Sequence, residues 1–204
     1  MKYIKLFENF EGDDNQKELA QELAAYFGVN LDTFAETSKI MAMSPEGKQR
    51  WFDAEMDKEE PNLPVIEELE RLGYEFDLPK DKDLFYAASY NKVGLAKLLL
   101  DRGADKDARE LYQWTPLHYA AKNDSQAVAE LLLDRGAKIE ARDKDQQTPL
   151  HFAAYSNSLA VAELLLDRGA KIDARDRRQS TPLYWATVKN SRAVAELLLS
   201  REAV

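Results

Sequence analysis

The phrase Leu-Leu-Leu-Asp-Arg-Gly-Ala begins at Leu98, again at Leu131 and again at Leu164, and a worn copy starts at Leu197, each 33 residues after the one before. A second phrase keeps the same step: Thr115-Pro116-Leu117-His118, Thr148-Pro149-Leu150-His151 and Thr181-Pro182-Leu183-Tyr184. Two independent markers on one period make this part of the chain an array of supersecondary units, each buried by its neighbours rather than by itself.

Each unit spells two helices. Threonine stands as N-cap and proline takes the first turn, where no amide partner is needed. The paired alanines Ala120-Ala121 and Ala153-Ala154 let neighbouring helices approach. Asn91, Asp124, Asn157 and Asn190 recur where the chain turns between helices, and these types tolerate a left-handed backbone better than other side chains. Val128, Leu131 and Leu132, then Val161, Leu164 and Leu165, fall on one stripe of the second helix. Gly103, Gly136 and Gly169 end that helix and open a projecting loop. The first copy is degenerate, with Lys82-Asp83-Leu84-Phe85 in place of Thr-Pro-Leu-His, and Glu202 stands where the last copy would have its glycine.

Period, phrases and order together resemble the ankyrin repeat over about residues 77–204. The resemblance implies an all-α solenoid of about four helix-turn-helix repeats, 77–109, 110–142, 143–175 and 176–204. Before them, Val65-Ile66-Glu67-Glu68-Leu69-Glu70-Arg71-Leu72-Gly73 reads as the second helix of a half-repeat over 61–76. Its glycine lies 30 residues before Gly103, three short of the period. An acidic half-repeat suits the polar outer end that a solenoid needs.

Residues 1–60 do not keep the beat and are expected to form a small acidic helical module. Leu19, Leu23, Ala24 and Phe27 have helical spacing closed by Gly28. Asp32 is the expected cap of a second helix running toward Met43, and Ser44-Pro45-Glu46 opens a third that carries Trp51, Phe52 and Met56. The stretch Met1–Gly12 reads equally as strand, helix or leader. Its Leu6-Phe7-Glu8 resembles the Leu-x-Glu leaders of tailed-phage proteins, some of them cleaved, which implies a phage or bacterial source.

Composition narrows the chemistry. There is no cysteine, so disulfides, thiol nucleophiles and the common zinc frameworks are excluded. No apolar run approaches the roughly 18 residues of a membrane span, and the expected location is the cytosol. Residues 1–80 carry 9 Lys or Arg against 19 Asp or Glu, and residues 81–204 carry 19 against 18. So acidic a front repels nucleic acid and anionic lipid. No phosphate-cradling glycine loop and no calcium-loop spacing occurs, so no cofactor or metal is expected. The only histidines, His118 and His151, share one register, and the resemblance implies that they bond backbone and tie repeats together. The chain reads as a non-enzyme.

The resemblance further implies that a protein partner is gripped by the loop tips and the exposed side of the first helices. The tips are Arg109–Trp114, Arg142–Gln147 and Arg175–Ser180. Arg109, Arg142 and Arg175 fall on the period as a ladder, which Asp143 and Asp176 could neutralise in place. Leu111, Tyr112 and Trp114 are large for a tip, although Trp114 could instead pack on its neighbour. Lys122, Lys144, Tyr155, Arg177 and Arg178 complete the candidate set, with Asn123, Ser156, Val188 and Lys189 on the helix wall. Arginine-rich tips favour an acidic or mixed partner surface, and replacing Trp114 and Arg142 together is expected to weaken capture without changing the melting temperature. An alternative makes the acidic N-terminal module the effector, mimicking nucleic acid or plugging a basic cleft of a host protein. The final helix, nearly identical to the internal ones, raises self-association through the last repeat.

Overall fold

A computed structural model describes residues 21, 24, 25, 30–56, 58, 61–74, 76 and 83–202, forming eleven helices and, among these residues, no strand. The leader lies outside the described residues. So does most of the helix expected from Asn15 to Gly28, of which only Gln21, Ala24 and Ala25 are described, all helical. The chain divides into two compact units, residues 1–79 and 80–204.

The first unit holds α1 (Leu31–Met41), α2 (Pro45–Met56) and α3 (Leu63–Arg71). Asn30, not Asp32, caps α1: its side-chain oxygen accepts from the Thr33 amide at 2.8 Å. Asp32 sits instead in the first turn, where a carboxylate still favours the helix dipole. Ser44 caps α2 as expected, its hydroxyl accepting from the Gly47 amide. Phe34, Ile40, Phe52, Met56, Val65, Ile66 and Leu69 form the core, and Phe76 stacks flat on Phe52 at 4.6 Å. By packing, α3 goes with α1 in the first unit, whereas the break in the beat suggests a division at 60/61.

The end of α3 is built like the end of a repeat helix. Gly73 takes φ +89°, its amide bonds Glu70 O, and the Tyr74 amide bonds Leu69 O. Gly103 and Ala104 make the same pair of bonds to Leu100 and Leu99. This left-handed closure satisfies carbonyls that a helix end leaves unpaired.

The second unit is four helix pairs: α4 (Leu84–Ser89) with α5 (Val93–Asp101), α6 (Pro116–Lys122) with α7 (Gln126–Asp134), α8 (Pro149–Ser156) with α9 (Leu159–Asp167), and α10 (Pro182–Val188) with α11 (Arg192–Glu202). First helices pack on first helices and second on second. Thr115, Thr148 and Thr181 are the N-caps, each followed by proline at the first helical position. In the degenerate first copy Asp83, which aligns with the prolines, takes over the capping and accepts from the Tyr86 amide at 2.8 Å. The helix therefore starts one residue later on the beat.

The turn residues Asn91, Asp124, Asn157 and Asn190 are all left-handed, with φ between +52° and +58°. Three of them also reach forward. The Val128, Val161 and Val194 amides donate to Asn91, Asp124 and Asn157 at 3.2, 3.1 and 3.3 Å, each 37 residues on. These amides lie near the start of the following repeat's second helix, where no intrahelical partner exists. Glycine would satisfy the backbone and leave those amides unmet. On the outer ends of the second helices, Asp101 pairs with Arg135, Asp134 with Arg168 and Asp167 with Arg201, all within 2.8 Å. Being exposed, each pair contributes at most about 1 kcal/mol.

Val128, Ala129 and Leu132, with Val161, Ala162 and Leu165, are fully buried between repeats. Leu132→Ala should cost about 2–5 kcal/mol in denaturant unfolding. A loss well under 1 kcal/mol would place Leu132 outside the core.

Candidate functional site

Each tip is a tight reverse turn whose fourth residue after the ladder arginine, Gln113, Gln146 or Gln179, is left-handed at φ +64°. A non-glycine residue there is strained by about 1–2 kcal/mol, so other bonds must hold the turn. They do. The Asp143 carboxylate, 4 % exposed, accepts from the Asp145 and Gln147 amides at 2.9 and 2.8 Å, and Asp176 does the same for Arg178 and Ser180. In the first tip Glu110 takes this role toward the Tyr112 and Trp114 amides.

These acids therefore serve the turns and do not neutralise the arginine ladder. Burial pushes the Asp143 carboxyl up, against the hydrogen bonds from Gln147 and Asp145. At Asp176 burial is again the largest single influence. There the bonds from the Trp185 indole and the Ser180 and Arg178 amides outweigh it and hold the carboxyl below its usual range.

The ladder itself is tied to backbone. Arg109 Nη1 donates to Arg142 O at 2.7 Å and to its own Gln113 O, and Arg142 Nη1 donates to Arg175 O at 2.5 Å and to Gln146 O. Arg175 bonds Gln179 O at 3.0 Å. Trp114 is half-buried: its indole donates to Asp143 on the next tip at 3.2 Å, and its ring meets Phe152 and Tyr119 edge-on at 4.8 and 5.3 Å. Trp114 and Arg142 thus join consecutive tips. Replacing them together is now expected to lower the melting temperature, contrary to the expectation from sequence, because each change unpairs groups on two repeats.

The remaining candidates reach the surface in two groups. Leu111 is 84 % and Tyr112 45 % exposed, with Lys144 Nζ 3.8 Å over the Tyr112 ring and Lys122 Nζ 4.9 Å over Trp114. Tyr155, 47 % exposed, lies under Lys189 and 6.0 Å from Trp185, and with Arg177 and Arg178 it lines a cleft of about 250 Å³.

Sequence reasoning missed a second ladder. Tyr119, Phe152 and Trp185 stand immediately after the histidine register, 33 residues apart, on the same face. Their common period with Tyr86 was the available signal. Trp185 donates its indole hydrogen to Asp176 at 2.9 Å, which fixes its ring beside Tyr155 and Tyr184.

The histidines are buried. Nδ1 of His118 accepts from the Thr115 amide at 3.0 Å, which puts the ring hydrogen on Nε2, and Nε2 donates to Gln147 O of the next tip at 3.2 Å. His151 repeats both bonds with Thr148 and Ser180. Burial lowers the His118 pKa to about 4, and the incoming amide leaves no room for a second ring hydrogen. Unfolded, the same ring takes a proton near 6.5. Stability from this neutral ring is complete above that value and is lost as pH falls toward 4, amounting to about 3 kcal/mol. In an NMR titration the His118 ring should still be neutral at pH 5.5; a midpoint near 6.5 would refute the assignment. Among the described residues no group of three His, Asp or Glu side chains is placed to hold a metal, and no helix is long and apolar enough to cross a membrane.

Comparison with known families agrees with this geometry. A family model described as ankyrin repeats (3 copies) matches residues 59–143 and 141–204, well over half of the chain. No curated protein matches it. With its helix pairs, its capped first helices and its histidines bonded from one repeat to the next, the chain belongs to the ankyrin-repeat family, whose repeats are generally protein–protein interaction modules.

Proposed function

We propose that the chain is a non-enzymatic adaptor or inhibitor that holds a protein partner against the face formed by the tips and the first helices of residues 80–204. The observation that carries this reading is the pair Leu111 and Tyr112, a large aliphatic and a large aromatic side chain held out on one tip. Leu111 stands out almost wholly exposed, and Tyr112 is covered only in part, by Lys144 and Trp114. Their neighbours Lys144 and Lys122 add positive charge over aromatic rings, and Tyr, Trp and Arg are the types that dominate binding hot spots.

Every polar bond that locks the tips is made by backbone or by other side chains, chiefly Arg109, Arg142, Asp143, Asp176 and Trp114. The face is therefore set before the partner arrives, and little ordering entropy opposes binding. Arg175, Arg177 and Arg178 on the third tip make it positive as well as aromatic, which favours an acidic or mixed partner surface.

The test is Leu111→Ser with Tyr112→Ala, in affinity capture from the native organism. Partner recovery should fall by about tenfold or more while the melting temperature stays within about 1–2 °C of the parent. Recovery unchanged in the double variant would move the binding face elsewhere.

A further inference from the structure

The third tip differs from the other two in what its arginines touch. Arg109 and Arg142 each bond a carbonyl on the following tip as well as one on their own. Arg175 bonds only its own Gln179 O among the described residues, and it is exposed. Arg177 and Arg178, absent from the other tips at these registers, are exposed beside it and are joined to no carboxylate among the described residues. The acid between Arg175 and Arg177, Asp176, is 3 % exposed and turned inward. Its two oxygens are taken by the Arg178 and Ser180 amides, the Trp185 indole and the Gln147 amide group.

Beside this tip lies a cleft of about 490 Å³ lined by Arg175, Arg178, Tyr184 and Trp185, with Ser180 and Thr181. No carboxylate lines it. The smaller cleft across Trp185 shares Arg178 and adds Arg177, but Asp145 and Asp176 line it as well, so the unbalanced positive charge lies on the Arg175 side. Guanidinium groups offer several fixed donors matched to an oxyanion, and the Trp185 ring, anchored by its bond to Asp176, supplies a flat apolar wall. An oxyanion with an apolar or aromatic neighbour fits both features at once.

We infer that this cleft receives an oxyanion-bearing side chain from an acidic peptide segment of the protein partner, with Arg175 and Arg178 holding the anion and Trp185 and Tyr184 flanking an adjacent apolar side chain. The inference rests on the face-binding reading above and gives that face a chemical polarity. Leu111 and Tyr112 take apolar contacts at the first tip, and the third tip takes charge.

The test uses the full chain and dye-labelled peptides read by fluorescence anisotropy. One peptide alternates Glu and Tyr, a second carries phosphotyrosine in place of Tyr, and a third alternates Lys and Tyr. The Glu–Tyr peptide should bind more tightly than the Lys–Tyr peptide by about tenfold or more, with affinity falling as salt rises. Tighter binding of the phosphorylated peptide would identify phosphate as the preferred source of the oxyanion; equal or weaker binding would identify carboxylate. Arg178→Glu, at a side chain that supports no bond of the tip, should abolish the preference for anionic peptides and leave the melting temperature unchanged. Equal affinity for Lys–Tyr and Glu–Tyr peptides, or anionic peptide binding unaffected by Arg178→Glu, would overturn the inference. Partner capture separates the two readings. If Arg178→Glu retains the partner and the Leu111 and Tyr112 variant loses it, the anion cleft fails and the binding face stands.

Discussion

The polar bonds that join one repeat to the next recur at fixed offsets along the array. His118 and His151 give their ring hydrogens to carbonyls 29 residues ahead, Arg109 and Arg142 to carbonyls 33 ahead, and Asn91, Asp124 and Asn157 take amides 37 ahead. A repeat presents half of each bond and depends on its neighbour for the rest. Buried polar groups left unpaired cost about 1–3 kcal/mol each, so a lone repeat is penalised twice, by its exposed leucines and by its orphaned donors. The histidines stay neutral because they are buried and accept an amide hydrogen at Nδ1, which outweighs the opposite pull of the forward carbonyl on Nε2.

This bonding decides which surface residues are free to bind. A tip that is strained at its left-handed glutamine holds its shape only because an acid gathers its amides and an arginine grips its carbonyls. Residues that look like a recognition surface in the sequence are therefore divided. Arg109, Arg142 and Trp114 keep the tips in register. Leu111, Tyr112, Tyr155, Arg177 and Arg178 stand outside those bonds, and the proposed binding face is drawn from them.

The fold was legible because its markers are periodic and chemically specific: threonine before proline, glycine after a leucine run, histidine in one register. Of the forward bonds only those of the histidines were expected, from the resemblance; those of the arginines and turn residues were not, since a sequence read one repeat at a time gives no direction to a side chain. Asn91 and Asp124 were understood as turn formers, but their second role needs the neighbour's helix start to be in view. For Trp114 the sequence left two readings open, a binding side chain or one packed on the neighbouring tip, and the structure shows the second. Trp114 stands at the register of Gln147, and only the position of Asp143 on the next tip shows that both side chains give a hydrogen to the same kind of acceptor. The aromatic register of Tyr119, Phe152 and Trp185 was readable and was hidden by its varied residue types. In the first unit, Asn30 took the cap from Asp32 because the better-placed oxygen lay two residues earlier.

The ion pairs along the outer ends of the second helices follow a simple grammar, in which the aspartate of one Leu-Leu-Leu-Asp-Arg-Gly meets the arginine of the next. Both partners come from the same six-residue word in the first three copies, while the last, with Ser200 in place of the aspartate, keeps only the arginine half. A copy duplicated or removed from the interior of such a string meets compatible ends on both sides. Length can then change by whole repeats without any new joint being designed, and tips can diversify while the joints remain standard.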